Sequence, residues 1–291
     1  MTIKFKLFDL DEVTPFGTDE SNLSISWFSL TDGDLWIDFG KTNGDLWINS
    51  GKANFYEYTK EAIEYFEDKS SPYNNYFIIR FIEDFTYLLR KVNESIPLEI
   101  FENICDLQNL TQFLNDAEKW HNKEIPDEED GERTVENEGE YDFYFEKIVP
   151  LTSWVHDRQL SSGHLVGGPK IWFFRHEDIV KIVWQADYKI EDRINMWTSQ
   201  SGQRNLFYFV FEQEIKRFGD AFFKAMDKQI LRAIEKDWNN VKLDKIQLLK
   251  ENRERYLYFN LDIQKLDEER TDWDKVSVLI QEMKIRISEL K

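Results

Sequence analysis

Histidines and arginines near the middle of the chain are the residues best suited to chemistry. His156, His164 and His176 fall within 21 residues, and Arg158 and Arg175 lie between the first and the last of them. Three imidazoles could bind zinc, and guanidinium groups could orient an anionic substrate. One hypothesis is therefore a ligand-binding protein or an enzyme with its site around His156, Arg158, His164 and Arg175.

The spacing of these residues favours structural roles instead. Intervals of 8 and 12 residues between the histidines match no ligand pair on a helix face, such as His-Glu-x-x-His. Arg158 follows an acidic residue, and such arginines form structural ion pairs as readily as they bind substrates. The sequence has no Gly-x-Ser-x-Gly elbow, Walker loop or dinucleotide-binding fingerprint. We therefore predict no catalytic residue, no metal and no cofactor, and an enzyme is the less favoured alternative.

The single cysteine and the N-terminal residues both bear on the compartment. Cys105 cannot form an intramolecular disulfide, and its apolar neighbours at helical spacing predict a buried thiol. The N-terminal residues have no apolar stretch or cleavage site typical of a secretory signal. No apolar run approaches the roughly 18 residues that a membrane span needs. These features predict a cytoplasmic protein that does not bind membranes.

The charge of the chain predicts the kind of partner. Its 291 residues include 56 acidic and 37 basic ones, which gives a net charge of −19. A surface this acidic opposes binding to DNA, RNA or an anionic membrane, so we expect no nucleic-acid partner. A basic protein would be attracted, and it would associate faster at low salt.

Acidic residues are concentrated between Glu124 and Glu140, where nine carboxylates and one arginine account for −8 of the charge. The stretch contains one proline and two glycines and few apolar residues, so 124–140 is predicted to be an exposed, mobile loop. It could simply solvate the chain, or it could meet a cationic partner. The residues predicted to bind that partner are Asp127, Glu128, Glu129, Asp130 and Glu132.

Apolar residues alternate with lysines from Ile3 to Leu7, which predicts a strand near the N-terminus. Asp32-Gly33 has the composition of a tight turn between two further strands. A Gly-Asp-Leu-Trp-Ile unit starts at Gly33 and again at Gly44, which indicates a duplicated hairpin arm. Two copies are too few to form a solenoid.

Helices and a second group of strands follow in the rest of the chain. The segments 171–175 and 179–184 read as a β-hairpin. Apolar residues recur every three or four positions in several segments, as expected of amphipathic helices. These segments are 77–89, 97–114, 207–238, 246–261 and 276–290.

The element pattern predicts the α+β class, with antiparallel sheets or hairpins packed against several long amphipathic helices. A shift in composition near Asn239 divides a main α+β domain, 1–238, from a C-terminal helical hairpin, 239–291. That C-terminal extension could pack on the main domain, or it could form a homodimer.

Two motifs resemble a bacterial family described only as a domain of unknown function. The stretch from Arg158 to Arg175 is similar to the family pattern Arg-x-Leu-Asp-x-Gly-Tyr-Leu-x-x-Gly-Pro-x-Ile-x-Leu-x-Arg. The stretch Trp27–Gly33 is similar to a second family pattern, Trp-x-x-Leu-Thr-Asp-Gly. The resemblance covers roughly 1–236 and implies a β-hairpin and a long helix, but no active site. His164 stands where the family has tyrosine. The duplicated unit, the acidic loop and the last fifty-odd residues look like additions.

Size, acidity and a Trp-rich α+β composition also resemble immunity proteins of bacterial polymorphic-toxin systems, by type rather than by motif. Many such toxins act on nucleic acid and carry basic surfaces, which an acidic protein can cover. The resulting hypothesis is an immunity-type protein that binds a cognate basic toxin and neutralises it by occlusion.

Overall fold

Two antiparallel sheets and eight α-helices make up most of the part of the chain that the structure describes. The computed structural model describes residues 1–18, 22–39, 54–67, 71–124, 142–160, 165, 167–265 and 270–289. The strands are β1 (Thr2–Leu7), β2 (Ser24–Ile25), β3 (Asp32–Asp38), β4 (Asn54–Phe55), β5 (Asn74–Phe77), β6 (Gln159–Leu160), β7 (Lys170–His176), β8 (Ile179–Gln185), β9 (Lys189–Ile190), β10 (Ile194–Asn195), β11 (Gly202–Phe207) and β12 (Lys242–Leu243). The helices are α1 (Lys60–Tyr65), α2 (Ile78–Val92), α3 (Leu98–Asn103), α4 (Leu107–Glu124), α5 (Val149–His156), α6 (Tyr208–Glu235), α7 (Lys245–Asp262) and α8 (Trp273–Ser288).

The first sheet is built around β3, which pairs antiparallel with β1, β4 and β5. Alternation along the strands places Ile3, Leu35 and Ile37 on the buried face. The ring of Phe5 lies 5.8 Å from that of Phe218 and 6.0 Å from that of Phe222. The first sheet therefore packs on α6, the helix that carries both of these phenylalanines.

The second sheet has the strand order β11-β8-β7-β6, and a hydrophobic cluster covers each of its faces. Ile171 and Phe173 of β7 enter a cluster with α2 and α6, whereas Trp172 and Phe174 enter a cluster with α4, α5 and α8. A strand that is buried on both faces reads as a continuous apolar run. The stretch 171–174 has that composition because helices cover both sides.

The C-terminal helices α7 and α8 complete both clusters. Leu248 and Phe259 of α7 belong to the cluster that contains α2 and α6. Four residues of α8 belong to the other cluster, and they are Val276, Leu279, Ile280 and Met283. Both predicted helices are confirmed, whereas a domain division near residue 238 stays a prediction.

The predicted α+β class is confirmed, but one predicted turn is wrong. Asp32 and Gly33 do not form a turn, because they are the first two residues of β3 and pair with Phe77 and Tyr76. A Cβ atom on Gly33 would lie 2.3 Å from the carbonyl oxygen of Lys6. The glycine is therefore explained by the close approach of β1 rather than by a turn.

Candidate functional site

Arg158 is buried and holds the end of α2 in place. Its side chain is 1% exposed, and it donates a 2.7 Å hydrogen bond to a carboxylate oxygen of Glu94. It also donates to the carbonyl oxygen of Trp154 at 3.0 Å, and its guanidinium lies 5.5 Å from the ring centre of Trp273. The carboxylate of Glu94 accepts two further hydrogen bonds from Thr271. Arg158 therefore links α5, α2 and the start of α8.

Arg175 binds the residue that precedes Glu94. Its guanidinium donates to the carbonyl oxygen of Asn93 at 2.5 Å and to that of Glu177 at 2.6 Å. It also lies 3.9 Å from the ring centre of Tyr208, whose hydroxyl donates to the Asn93 side chain at 3.1 Å. Both candidate arginines thus fix consecutive residues at the C-terminal end of α2.

The histidines are not gathered into a metal site in the part of the chain that the structure describes. His156 is exposed at the end of α5, and partial desolvation by nearby protein atoms lowers its pKa. His176 lies with its Nδ1 2.8 Å from the carbonyl oxygen of Ile96. His164 lies outside the described residues. Among the described residues, no group of three or more His, Cys, Asp or Glu could hold a metal ion.

Cys105 is buried, and this burial favours the protonated form of its thiol. Desolvation raises the pKa of its thiol, and the opposing effects of Lys181 and Arg158 are smaller. A thiolate is the form that acts as a nucleophile. The prediction of a buried thiol is confirmed.

Trp27 of the shorter motif and Gly167, at a variable position within the longer one, have structural roles. Trp27 is buried, donates its indole N–H to Asn252 at 3.0 Å and lies 4.5 Å from the guanidinium of Arg255. Gly167 has a positive φ of 65°, a conformation that glycine adopts without strain. Its carbonyl oxygen accepts the indole N–H of Trp197 at 2.7 Å. Trp27 and Gly167 therefore stabilise the fold, and the motif residues that the structure describes form no reactive cluster.

The ends of the acidic segment lie on well-packed helices. Residues 125–141, with the predicted partner-binding residues Asp127, Glu128, Glu129, Asp130 and Glu132, lie outside the described residues. On the N-terminal side, buried Trp120 of α4 contacts Phe143 at a ring distance of 5.3 Å. On the C-terminal side, Lys147 pairs with Glu282 of α8 at 2.8 Å. Between these fixed points, the adjacent rings of Tyr144 and Phe145 are 41% and 48% exposed.

A polar cavity of about 850 Å³ lies between the start of α4 and the strands β8 and β11. It is lined largely by amide and hydroxyl groups, among them Gln112, Asn115 and Ser201. Gln185 donates to the hydroxyl of Thr111 at 2.8 Å, so part of this lining is already hydrogen-bonded within the chain. No sequence pattern indicated this cavity, because its residues come from three separate segments without a shared motif.

The comparison with known families identifies the family of the chain. A model of DUF5984, described as a family of unknown function, matches residues 2–42 and 39–279. The chain belongs to this family. The resemblance to a domain of unknown function is therefore confirmed, and the two matched segments overlap beside the duplicated Gly-Asp-Leu-Trp-Ile unit.

The family match also corrects one expectation. It continues to residue 279, beyond the limit of roughly 236, so most of the C-terminal segment is part of the DUF5984 region and not an addition. The packing of α7 and α8 into both clusters is the physical reason, since the clusters would lose buried residues without them. No curated protein and no solved structure matches the chain. None of the helices described is both long and apolar enough to cross a membrane.

Proposed function

We propose that this DUF5984 protein is a cytoplasmic, immunity-type protein that binds a cognate basic toxin and neutralises it by covering its surface. The observation that carries the proposal is the charge of −19, of which −8 falls in the single segment 124–140. Such a segment attracts a cationic protein over several ångströms and raises the association rate. It repels nucleic acid, which a basic toxin would otherwise bind.

Exposed aromatic side chains supply the short-range contacts that charge alone does not. Tyr144 and Phe145 are exposed at the C-terminal end of the acidic segment, and their rings are 5.1 Å apart. Aromatic residues dominate the binding energy of many interfaces, and surrounding polar residues exclude water from them. The proposed contact surface therefore combines residues 127–132 with Tyr144 and Phe145.

The alternative of a ligand site at His156, Arg158, His164 and Arg175 is less well supported. The guanidinium groups of Arg158 and Arg175 bind Glu94 and Asn93 just after α2, so a substrate would have to replace these contacts. Removal of a partner from a buried ion pair is costly. These contacts support a binding protein over an enzyme at this position.

The proposal is tested by affinity capture of the tagged full chain in its native bacterium at low and moderate salt. We expect one stoichiometric basic protein, identified by mass spectrometry, whose association slows as salt rises. A variant with its five candidate acidic residues neutralised should associate at least about tenfold more slowly at low salt. The changes are Asp127→Asn, Glu128→Gln, Glu129→Gln, Asp130→Asn and Glu132→Gln.

A matched control removes the same number of charges elsewhere on the surface. Five exposed glutamates of α1, α3 and α4 are changed to glutamine, and they are Glu61, Glu64, Glu99, Glu102 and Glu118. Equal slowing by both variants would show that net charge acts without a role for the segment. No basic partner at either salt concentration would contradict the proposed function.

A further inference from the structure

The outer face of α7 is apolar and exposed. The helix buries Leu248, Asn252 and Phe259 against the body of the protein. On the opposite side it exposes Ile246, Leu257 and Leu261, and Ile246 is 81% exposed. Single exposed apolar residues are common. Three on one face of a helix form a stripe, interrupted by Lys250 and Arg253, that indicates an interaction surface.

Neighbouring helices extend this apolar face on one side. Leu231 of α6 is exposed, and with Leu249 and Tyr256 it lines a groove of about 590 Å³ between α6 and α7. The groove runs beside the exposed stripe, so side chains of a helix that lies on α7 could enter it. Ridges of one helix pack into such grooves of another.

The charge of α7 differs from that of the whole chain. The helix carries four basic and three acidic residues, in a protein with a net charge of −19. Two copies of so acidic a protein repel each other over most of their surfaces. The near-neutral face of α7 is therefore one place where two copies can approach closely.

The order of residues along α7 is complementary to itself. Exposed Arg253 and Glu254 are adjacent at the middle of the stripe, and Ile246 and Leu261 lie equally far from this pair on either side. If two α7 helices lie antiparallel about a two-fold axis at this point, Arg253 of each copy faces Glu254 of the other. The same arrangement pairs Ile246 with Leu261 at both ends and lays the aliphatic part of Lys250 along Leu257. A self-complementary patch is what a two-fold interface requires.

We propose that the partner of this face is a second copy of the chain, bound through two antiparallel α7 helices. The exposed leucines and isoleucine supply the buried apolar area, and the two Arg253–Glu254 pairs set the register. This dimer is independent of the acidic segment and of the proposed toxin. It is therefore tested on the purified protein alone.

The test measures the mass of the full chain by sedimentation across a range of concentrations. We expect twice the chain mass of 35.1 kDa at high concentration. Leu257→Glu should raise the dissociation constant at least about tenfold, because a charge replaces a buried apolar contact. Val278→Glu is the matched control, since Val278 of α8 is exposed to a similar extent as Leu257 but lies outside the stripe. Circular dichroism confirms that each variant is folded.

A charge-swap series tests the two-fold register itself. Arg253→Glu places two carboxylates opposite each other in both pairs and should weaken the dimer. Adding Glu254→Arg to that variant restores opposite charges and should restore the dimer. A monomer at all concentrations would overturn the proposal, as would a dimer that Leu257→Glu leaves unchanged. If the double variant does not regain the mass of a dimer, the antiparallel register is overturned.

Discussion

At the scale of single residues, the arginines of the longest motif bind the protein's own backbone and side chains. Arg158 and Arg175 hold Asn93 and Glu94 at the end of α2, and the segment that supplies both arginines is the one most characteristic of the sequence. The chemistry expected of an exposed arginine is therefore absent at these two positions. The sequence shows which residue types are present, but burial decides what they do.

Replacement of Arg158 should reduce stability. Arg158→Met keeps much of the side-chain volume but leaves the carboxylate of Glu94 without its cation. We expect a loss of about 3 kcal/mol in the free energy of unfolding, measured by denaturant titration. Arg193→Met is the control, because Arg193 pairs with Glu191 at an exposed position, and it should cost less than about 0.5 kcal/mol. Unchanged stability of the Arg158 variant would show that this arginine is free for a ligand.

Asp84 of α2 should make stability depend on pH. Burial raises its pKa to about 7 from the ordinary value of 3.8, and Glu83 adds to the increase while Arg80 opposes it. Because the folded state holds this proton more tightly, its contribution to stability is complete below pH 3.8 and is lost as pH rises through 7.

The variant Asp84→Asn removes this titration. It should be more stable than the natural protein at pH 8, by up to about 4 kcal/mol, and similar to it near pH 4. Thermal or denaturant unfolding at the two values of pH measures the difference. Glu102→Gln, which removes an exposed carboxylate from α3, controls for net charge. An equal effect of Asp84→Asn at both values would contradict the assignment.

At the scale of elements, helices were easier to predict than strands. The long helix α6 carries a regular apolar stripe, and its predicted span of about 207–238 is close to the observed Tyr208–Glu235. Strand β11 was missed because its sequence, Gly-Gln-Arg-Asn-Leu-Phe, lies at a sheet edge and has no alternation of apolar residues. Edge strands need less apolar character than central ones, since one side is not covered.

The packing of α7 on α6 depends on a glycine. A Cβ atom on Gly219 of α6 would lie 2.0 Å from the ring of Phe259 in α7. Alanine favours a helix by about 1 kcal/mol over glycine, but overpacking of a core costs about 1–3 kcal/mol. Gly219→Ala should therefore lower the free energy of unfolding by about 1 kcal/mol.

A variant that lacks the ring of Phe259 separates helix propensity from overpacking at position 219. In a Phe259→Leu variant the ring is absent, so Gly219→Ala should then be neutral or stabilising. Denaturant unfolding of all four proteins gives the coupling between the two positions. Stabilisation by Gly219→Ala in the natural background would contradict the close contact.

At the scale of the whole molecule, sequence patterns predicted the fold class but not the arrangement of the site, and the basic partner expected from the charge stays a prediction. The α+β class followed from periodicity, because local patterns record which face of each element is buried. The contacts of Arg158 and Arg175 could not be predicted, since their partners just after α2, Glu94 and Asn93, are 64 and 82 residues away in sequence. The polar cavity beside α4 was missed for the same reason.

The net charge is the property of the whole chain that connects it to the proposed function. Mutual repulsion destabilises a highly charged protein slightly and keeps it soluble. Acidic residues concentrated in one segment attract a cationic protein toward that segment, whereas an even distribution would attract it from all sides. The proposed partner is a basic protein, which this charge would attract and the exposed aromatic side chains would contact.

The most direct test of the proposed function is a protection assay in bacteria that express the captured basic partner. We predict that the partner alone stops growth, that the natural chain restores it, and that the variant with five neutralised residues at 127–132 restores it poorly. The control with five neutralised glutamates on α1, α3 and α4 should protect as the natural chain does. Growth that the natural chain fails to restore would contradict the account.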